Sequence, residues 1–294
     1  MTSRALVLGA TGHIGAHVVR ALLAKGYAVR AGYRNPRYRF VLDGLPLDTV
    51  PLDVEEPAAL RQALDGCELV FHCAGFYPGF TDRREPAVAR GLDQIRRVFD
   101  VFRDARVPRI VYTSSAATIA PVAGRPTTEE DREPWPLTHW RPLYATVKTA
   151  MEHEVERYAR QGMPVAIVNP SLCVGEYDAH PFSGRLLLLF AKGRMPCYLD
   201  HQFNAVYTGD VGMGHVLAAE RGGSGARYLL SNRNVTLGEF ARLVAGEAGV
   251  APPRWMLPYP AALAGAAVLE GLAAITRREP LLARKIGAVL NGIT

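Results

Sequence analysis

The stretch ALVLGATGHIG, residues 5–15, decides the fold that we predict for this chain. It is a short apolar run that ends at glycine, and residues 13–25 then carry apolar side chains at helical spacing. Glycines at such a turn allow a tight bend, a close backbone approach to a pyrophosphate, and close packing of helix on strand. The helix N–H groups would bind the phosphate oxygens. The alternative is a purely structural turn. The predicted cofactor-binding residues here are Gly9, Thr11, Gly12, His13, Ile14 and Gly15.

Strand-like and helix-like runs alternate over the first 170 residues. The strand-like runs lie at 5–10, 27–33, 48–52, 69–74, 109–114 and 165–170, with helical patterns at 13–25, 57–64, 87–105 and about 142–161. This alternation predicts an α/β fold with a Rossmann-type doubly wound parallel sheet. The pattern loosens after Pro170. We therefore expect a nucleotide-binding domain over 1–170, with 204–235 returning to it, and a small, mostly helical C-terminal substrate lobe from 171–203 and 236–294.

Composition is that of an ordinary globular protein, with 49% hydrophobic and 21% charged residues in 294. The four cysteines form no C-x-x-C pair and no His cluster accompanies them, so we expect neither a metal site nor a disulfide framework. The net charge of +6 comes from scattered arginines, without the aromatic-interleaved basic stripe of a nucleic-acid binder. The N-terminus is a poor signal peptide, and we expect a cytoplasmic protein.

The segment AGYRNPRYR, residues 31–39, ends the second predicted strand. An enzyme that prefers NAD would offer a carboxylate to the ribose 2′-hydroxyl near this point. This chain has Arg34 there, and a guanidinium pairs well with a 2′-phosphate. The sequence therefore predicts NADP(H), although a surface arginine in an arginine-rich chain is the alternative. Further predicted cofactor contacts follow the third and fourth strands at Asp53, Val54, Cys73, Ala74 and Gly75.

Tyr144 and Lys148 are four residues apart in a predicted helix and so share one helix face. A free phenol has a pKa of about 10, and a neighbouring cation favours the phenolate. We expect Lys148 to lower the pKa of Tyr144 and to bind the nicotinamide ribose. Ser115, after the fifth strand, would hold a substrate oxygen while Tyr144 exchanges its proton. An exposed polar pair is the alternative.

The chain resembles the extended short-chain dehydrogenase/reductase family of NAD-dependent epimerases and dehydratases. The matching motifs are GATGHIG, Asp53-Val54, VFHCAG at 70–75, RIVYTSSAAT at 109–118, Tyr144 to Lys148 and VNPS at 168–171. Within the family it is most similar to dihydroflavonol-4-reductase-like proteins and the hopanoid-associated sugar-epimerase-like group. The resemblance implies a nucleotide-binding domain with a small substrate lobe and a Ser115, Tyr144 and Lys148 active site. It also places Pro170 and Ser171 beside the cofactor.

Three departures from the family pattern stand out. The helix before the fifth strand has Gly91 where the family usually has Asn, which leaves an Asn-held water relay without its residue. Tyr207, Gly209 and Asp210 stand where His and two Asp are usual. The chain stops at Thr294, so we expect part of the substrate lid to be missing or supplied by a partner subunit, which leaves a homodimer as an option.

The predicted substrate positions are largely aromatic and apolar, and this favours a bulky apolar carbonyl or alcohol. They are Phe76, Tyr77, Ser115, Phe182, Arg185 and Tyr198, with Phe80, Leu186, His201 and Phe203 as further candidates. The alternative is that half of them simply build the core of the lobe.

The apolar run at 255–276 contains Pro258, Pro260 and Glu270, which argue against a spanning helix. We expect a packed helix there, with peripheral membrane contact or a dimer surface as alternatives.

Three functions remain open at this point. The first is an NADP(H)-linked reductase or dehydrogenase of a carbonyl/alcohol pair. The second is a sugar-nucleotide epimerase or dehydratase, which would retain its cofactor through the cycle. The third is a non-catalytic dinucleotide sensor, against which the Tyr144 and Lys148 pair counts.

Overall fold

A seven-stranded parallel sheet forms the centre of the computed structural model, which describes residues 3–79, 82–137, 141–179, 184–199 and 201–258. Its strands are β1 (Arg4–Leu8), β2 (Ala28–Tyr33), β3 (Asp48–Pro51), β4 (Leu69–His72), β5 (Arg109–Thr113), β6 (Val165–Pro170) and β10 (Arg227–Leu230). The order across the sheet is β10-β6-β5-β4-β1-β2-β3, and every neighbouring pair is parallel. The predicted Rossmann-type fold is confirmed.

Helices cover both faces of this sheet, because side chains of a strand point alternately to opposite sides. The helices are α1 (His13–Ala24), α2 (Pro57–Leu64), α3 (Arg84–Asp104), α4 (Leu143–Arg160) and α6 (Thr208–Arg221). Leu6 and Leu8 of β1 join the cluster that contains residues of α2, α3 and α4. Ala5 and Val7 join the opposite cluster, which α1 and α6 complete. The alternation in one short strand thus builds two cores.

A smaller group of elements lies on the C-terminal side. It comprises β7 (Leu172–Val174), α5 (Gly184–Ala191), β8 (Cys197–Leu199), β9 (Gln202–Tyr207), β11 (Arg233–Thr236), α7 (Leu237–Glu247) and β12 (Trp255–Leu257). Strands β11, β9 and β7 form one sheet, and β12 and β8 form another. Phe190, Phe203, Val235 and Phe240 belong to its apolar core.

Two sequence-based expectations about elements need correction. Residues 204–235 return to the main sheet only in part, since β9 and β11 pair with each other in the smaller sheet. Phe203 of β9 packs among the apolar residues of the small core, and this holds β9 there. Residues 255–257 form β12, which pairs with β8, and not the start of a helix. The rest of the predicted helix, from 259 on, lies outside the described residues. The exact division into two lobes stays a prediction.

Among the described residues, no helix combines the length and the apolar character that crossing a bilayer requires.

Candidate active site

The glycine loop joins β1 to α1 at the carboxyl edge of the sheet. Gly9 has a φ of +74°, a value that L side chains rarely adopt, and a Cβ on it would lie 3.0 Å from the backbone nitrogen of Ala74. A Cβ on Gly15 would overlap the Gly9 carbonyl oxygen. Gly12 is the N-cap of α1 and carries no side-chain cap. The backbone segments of this loop approach each other closely only because glycine has no side chain. The loop forms a cradle that fits a dinucleotide pyrophosphate.

The other predicted residues of the loop are His13, Ile14 and Thr11. The His13 ring is engaged by α6, because its Nε2 lies 2.9 Å from Thr208 Oγ1. Burial is the main cause that lowers the pKa of His13. Since the ring is engaged, a contact of the His13 backbone N–H with a phosphate stays a prediction. Ile14 packs against the core beneath α1, and Thr11 is partly buried.

The remaining predicted cofactor residues follow the neighbouring parallel strands. Arg34 comes directly after β2 and is exposed. Asp53 follows β3, and its carboxylate accepts a hydrogen bond from the backbone N–H of Glu55 at 3.0 Å. Val54 is buried beside it. Cys73, Ala74 and Gly75 continue β4 next to the glycine loop, while Pro170 ends β6 and the Ser171 hydroxyl donates to Asn204 Oδ1 at 2.8 Å.

Lys148 occupies a buried position on α4 and is only 2% exposed. A Cβ on Gly75 would stand 2.7 Å from its Nζ, so the ammonium lies directly against the segment that follows β4. Its Nζ is 4.8 Å from the centre of the Tyr77 ring and 6.0 Å from that of Tyr144. The structure thus brings the helix pair and the cofactor edge of the sheet together. Burial lowers the pKa of Lys148 to about 8, and the charge of Glu152 opposes this shift.

Tyr144 lies at the centre of a group of hydroxyls. The hydroxyls of Ser115 and Tyr77 both hydrogen-bond its phenol oxygen. The Tyr77 ring stacks on it, with centroids 5.6 Å apart and an interplanar angle of 23°. Burial raises the pKa of Tyr144, while the two hydrogen bonds oppose the rise. The expected lowering of the Tyr144 pKa is therefore wrong, because burial outweighs the two hydrogen bonds and Lys148 Nζ stands 6.0 Å from the centre of the ring.

Ser115 is fixed by the short 3-10 turn that follows β5. It is the N-cap of the turn Ala116–Thr118, and its Oγ accepts the backbone N–H of Ala117 at 3.2 Å. Its carbonyl accepts the amide of Asn169 at 3.2 Å. These bonds hold the serine at the point where Tyr144 meets it.

The predicted substrate residues do not all face this group. Tyr77 does, and it is 54% exposed. Phe76 packs against the core under α3, with the Arg90 guanidinium 5.2 Å from its ring centre. Tyr198 packs in the core of the small lobe, close to Gly238. Arg185 is exposed on α5. Phe182 and Phe80 lie outside the described residues.

Further candidates also build the small core. Leu186 packs against it and Phe203 is part of it, with the buried His201 ring stacked on Phe203 at 6.4 Å. A contact of Phe76 or Tyr198 with substrate stays a prediction.

Gly91, where the family usually has Asn, lies at the crossing of α3 and α4. A Cβ there would stand 3.1 Å from Val147 and from Met151. The packing of α3 against α4 therefore leaves no room for an asparagine side chain at this position. In the second divergent segment, the Tyr207 hydroxyl donates to Glu176 Oε1 at 2.8 Å.

Sequence reasoning missed the polar residues behind α4. Glu152, Asn169 and Arg227 are buried and joined to one another there. The one available signal was that Glu152 lies four residues after Lys148, and so on the same helix face. His72 of β4, part of the VFHCAG motif, was given no role of its own. It is fully buried, and burial lowers its pKa to about 3.

The glycine cradle, the parallel sheet and the Ser115, Tyr144 and Lys148 group define a nucleotide-dependent enzyme of the short-chain dehydrogenase/reductase class. More specifically, the chain belongs to the NAD dependent epimerase/dehydratase family, whose model matches residues 5–230. The family and its reductase relatives support an oxidoreductase that uses a nicotinamide dinucleotide.

The similar proteins include reductases and epimerases. The chain is 34% identical to sterol demethylase protein B of Methylococcus capsulatus over 90% of this chain and 80% of that protein. It is 33% identical to a putative dihydroflavonol 4-reductase of Synechocystis over 93% and 81%. A solved structure of a nucleoside-diphosphate-sugar epimerase from Pseudomonas aeruginosa superimposes with a TM-score of 0.79 at 28% identity, covering 99% of this chain and 92% of that one.

Proposed function

We propose that this protein is an NADP(H)-dependent oxidoreductase that reduces the carbonyl of a bulky, largely apolar substrate or oxidises the matching secondary alcohol. The observation that carries the proposal is the meeting of Tyr144, Ser115 and Lys148 beside Gly75 at the cofactor edge of the sheet. A sensor of dinucleotides has no use for such a set. The shape of the glycine cradle supports pyrophosphate binding, and the exposed position of Arg34 directly after β2 supports the preference for NADP(H).

The residues of the chain would move one proton in this reaction. A nicotinamide dinucleotide held by the glycine cradle would supply the hydride. Ser115 holds the carbonyl oxygen, and Tyr144 donates its phenolic proton to that oxygen as the carbon receives the hydride. The Lys148 cation stabilises the phenolate left on Tyr144. In the alcohol direction the phenolate removes the proton again.

Two similar proteins support an apolar substrate. One is sterol demethylase protein B. The other, 28% identical over 92% of this chain and 80% of the relative, is a ketoreductase of a farnesyl-substituted dihydroquinoline oxide from Stigmatella aurantiaca. For this chain, a large apolar ketone is the corresponding proposal.

The test is NADPH oxidation in the presence of a panel of aldehydes, ketones, steroids and sugar nucleotides. Turnover of an apolar ketone is expected, and Tyr144→Phe should reduce its kcat at least 100-fold, since general acid catalysis contributes about 10²–10⁴-fold. The Kd for NADPH, measured by fluorescence, should stay unchanged. Tyr27→Phe is the matched control, because Tyr27 precedes β2 at the opposite edge of the sheet and its hydroxyl donates to Glu220. Near-normal turnover by Tyr144→Phe would overturn the mechanism.

A sugar-nucleotide epimerase is the second candidate, and the solved Pseudomonas aeruginosa epimerase favours it. It predicts a dinucleotide that stays bound through purification and a reaction without net oxidation of the cofactor. The same panel separates the two functions.

A further inference from the structure

A buried carboxylate lies one helical turn beyond Lys148. Glu152 of α4 is 4% exposed, and its Oε1 pairs with Arg227 Nε of β10 at 2.9 Å. Its Oε2 lies 2.9 Å from Thr118 Oγ1 and accepts Asn169 Nδ2 at 2.6 Å. Four parts of the chain thus converge on one side chain: α4, β10, the end of β6 and the turn after β5.

The same residues hold the backbone of Ser115. Thr118 Oγ1 lies 2.9 Å from the Ser115 carbonyl oxygen, so its single proton is shared between that oxygen and Glu152. Asn169 Nδ2 donates to the same carbonyl. The network of Glu152, Thr118 and Asn169 therefore joins the Ser115 backbone to the turn of α4 that follows Lys148.

A pair of buried charges is not needed merely to hold α4 against β10. Taking two charges out of water is costly, and apolar residues of similar volume often hold such a contact equally well. An ammonium, by contrast, is strongly disfavoured by burial alone. A negative charge one helical turn away offsets part of the free-energy cost of burying the Lys148 ammonium.

The groups that face the Lys148 ammonium are mostly neutral. Tyr144 lies on its own helix, Tyr77 follows β4, and His72 of β4 is buried with a pKa of about 3, so it carries no charge at neutral pH. Glu152 is the group whose charge opposes the effect of burial on Lys148. Both side chains are buried and lie four residues apart on the same face of α4, so the carboxylate is placed to favour the charged amine.

We propose that Glu152 is a positioning residue that keeps the Lys148 ammonium charged and in place, with Arg227 anchoring its carboxylate from the far side of α4. The inference deepens the proposed function and rests on it, since the charge of Lys148 serves the Tyr144 proton transfer. Because a cation is lost as the pH rises through its pKa, removal of Glu152 should neutralise Lys148 at a lower pH.

The test reads the charge of Lys148 directly. The chain has four lysines, Lys25, Lys148, Lys192 and Lys285, so protein labelled with ¹³Cε-lysine gives a spectrum that is simple to assign by the loss of one signal in Lys148→Arg. The wild-type Lys148 signal should titrate near pH 8. In Glu152→Gln the midpoint should fall by at least one pH unit.

Glu156→Gln is the matched control. Glu156 lies one turn further along α4, is 6% exposed and also pairs with an arginine, Arg132. The same chemical change there should leave the Lys148 midpoint where it is. A Glu152→Gln midpoint equal to that of the wild type, or an equal shift in both variants, would overturn the inference.

Glu152→Gln leaves Arg227 buried without its partner, which destabilises proteins strongly. The double variant Glu152→Gln with Arg227→Met removes both charges and relieves this cost. Its Lys148 midpoint should again lie below that of the wild type, and an unchanged midpoint contradicts the proposal.

Kinetics separate this inference from the proposed function. With a ketone that the wild type reduces, the high-pH limb of kcat/KM should move down in Glu152→Gln by as much as the NMR midpoint moves. If the midpoint moves but no carbonyl compound is reduced by the wild type, the reductase proposal fails and the role of Glu152 stands. If reduction occurs and the midpoint is fixed, the role of Glu152 fails alone.

Discussion

Tyr77 changes what a substrate meets when it enters the site. Its ring is exposed on one side and stacked on Tyr144 on the other, and its hydroxyl shares the Tyr144 oxygen with Ser115. A carbonyl oxygen that accepts the Tyr144 proton therefore meets a phenol whose oxygen already accepts the Tyr77 hydroxyl. The residue predicted only as a substrate contact lies within the hydrogen-bonded group itself.

Arg34 offers a test at the scale of one residue. Replacement by Gln removes the guanidinium but keeps a polar side chain. Because hydrogen bonds to charged groups contribute about 1.5–3 kcal/mol, the Kd for NADPH should rise about 10- to 100-fold while the Kd for NADH changes little. Fluorescence titration with both cofactors measures this.

Arg39→Gln serves as the control for that change, since Arg39 is also exposed in the same segment but lies farther from β2. Equal losses of NADPH and NADH affinity in Arg34→Gln would remove Arg34 from a role in cofactor choice.

At the scale of elements, the contact between β1 and α1 depends on Gly15. An added Cβ would overlap the Gly9 carbonyl oxygen, so α1 would have to move away from the strand. Gly15→Ala should lower the free energy of unfolding by about 1–3 kcal/mol, as overpacking does elsewhere, and weaken NADPH binding. Urea denaturation and a cofactor titration would show both effects.

Gly246→Ala provides the contrast, because nothing lies within 4 Å of an added Cβ at that position of α7. It should stabilise the protein by up to about 1 kcal/mol through helix propensity and leave cofactor binding alone. A Gly15→Ala protein that unfolds at the wild-type urea concentration would mean that the loop tolerates a side chain.

Elements of the nucleotide-binding part were predictable because each carries its own signal. The helix predicted at 57–64 matches α2, and the strand at 165–170 matches β6. The sheet to which β9 belongs was not predictable, since an apolar run in the sequence does not indicate which sheet the strand joins. Only the packing of Phe203 into the small core decides that. Likewise β12 forms because β8, far away in the chain, offers it an edge.

For the whole molecule, cofactor binding should appear as thermal stability. A ligand present at 100 times its Kd stabilises the native state by about 2.7 kcal/mol. We expect NADPH to raise the Tm by several degrees and NADH to raise it less at equal concentration. Differential scanning fluorimetry measures both shifts, and a larger shift with NADH would contradict the predicted cofactor preference.

The Tyr144→Phe variant should be measured in the same thermal-shift experiment as a control for cofactor binding. It should show the wild-type shift with NADPH, because the cradle at Gly9 and Gly15 does not involve the phenol. A lost shift would mean that the substitution damages cofactor binding or folding, and its loss of turnover would then say nothing about proton transfer.

The candidate site was predictable wherever its residues are close in sequence. Tyr144 and Lys148 share a helix, and the glycine loop is one continuous stretch. Arg227 could not be assigned in this way, because only the pairing of β10 with β6 brings it to Glu152. Gly91 stood out as a departure, but its meaning needed the closeness of Val147 and Met151.

The position of β10 as the last strand of the central sheet also matters for synthesis of the chain. A domain generally folds as a unit, and synthesis proceeds from its N-terminus. Glu152 emerges well before Arg227, so a nascent chain holds the carboxylate without its guanidinium for a time. The helix that carries the reactive tyrosine can therefore settle fully only after β10 has been translated and has docked on β6.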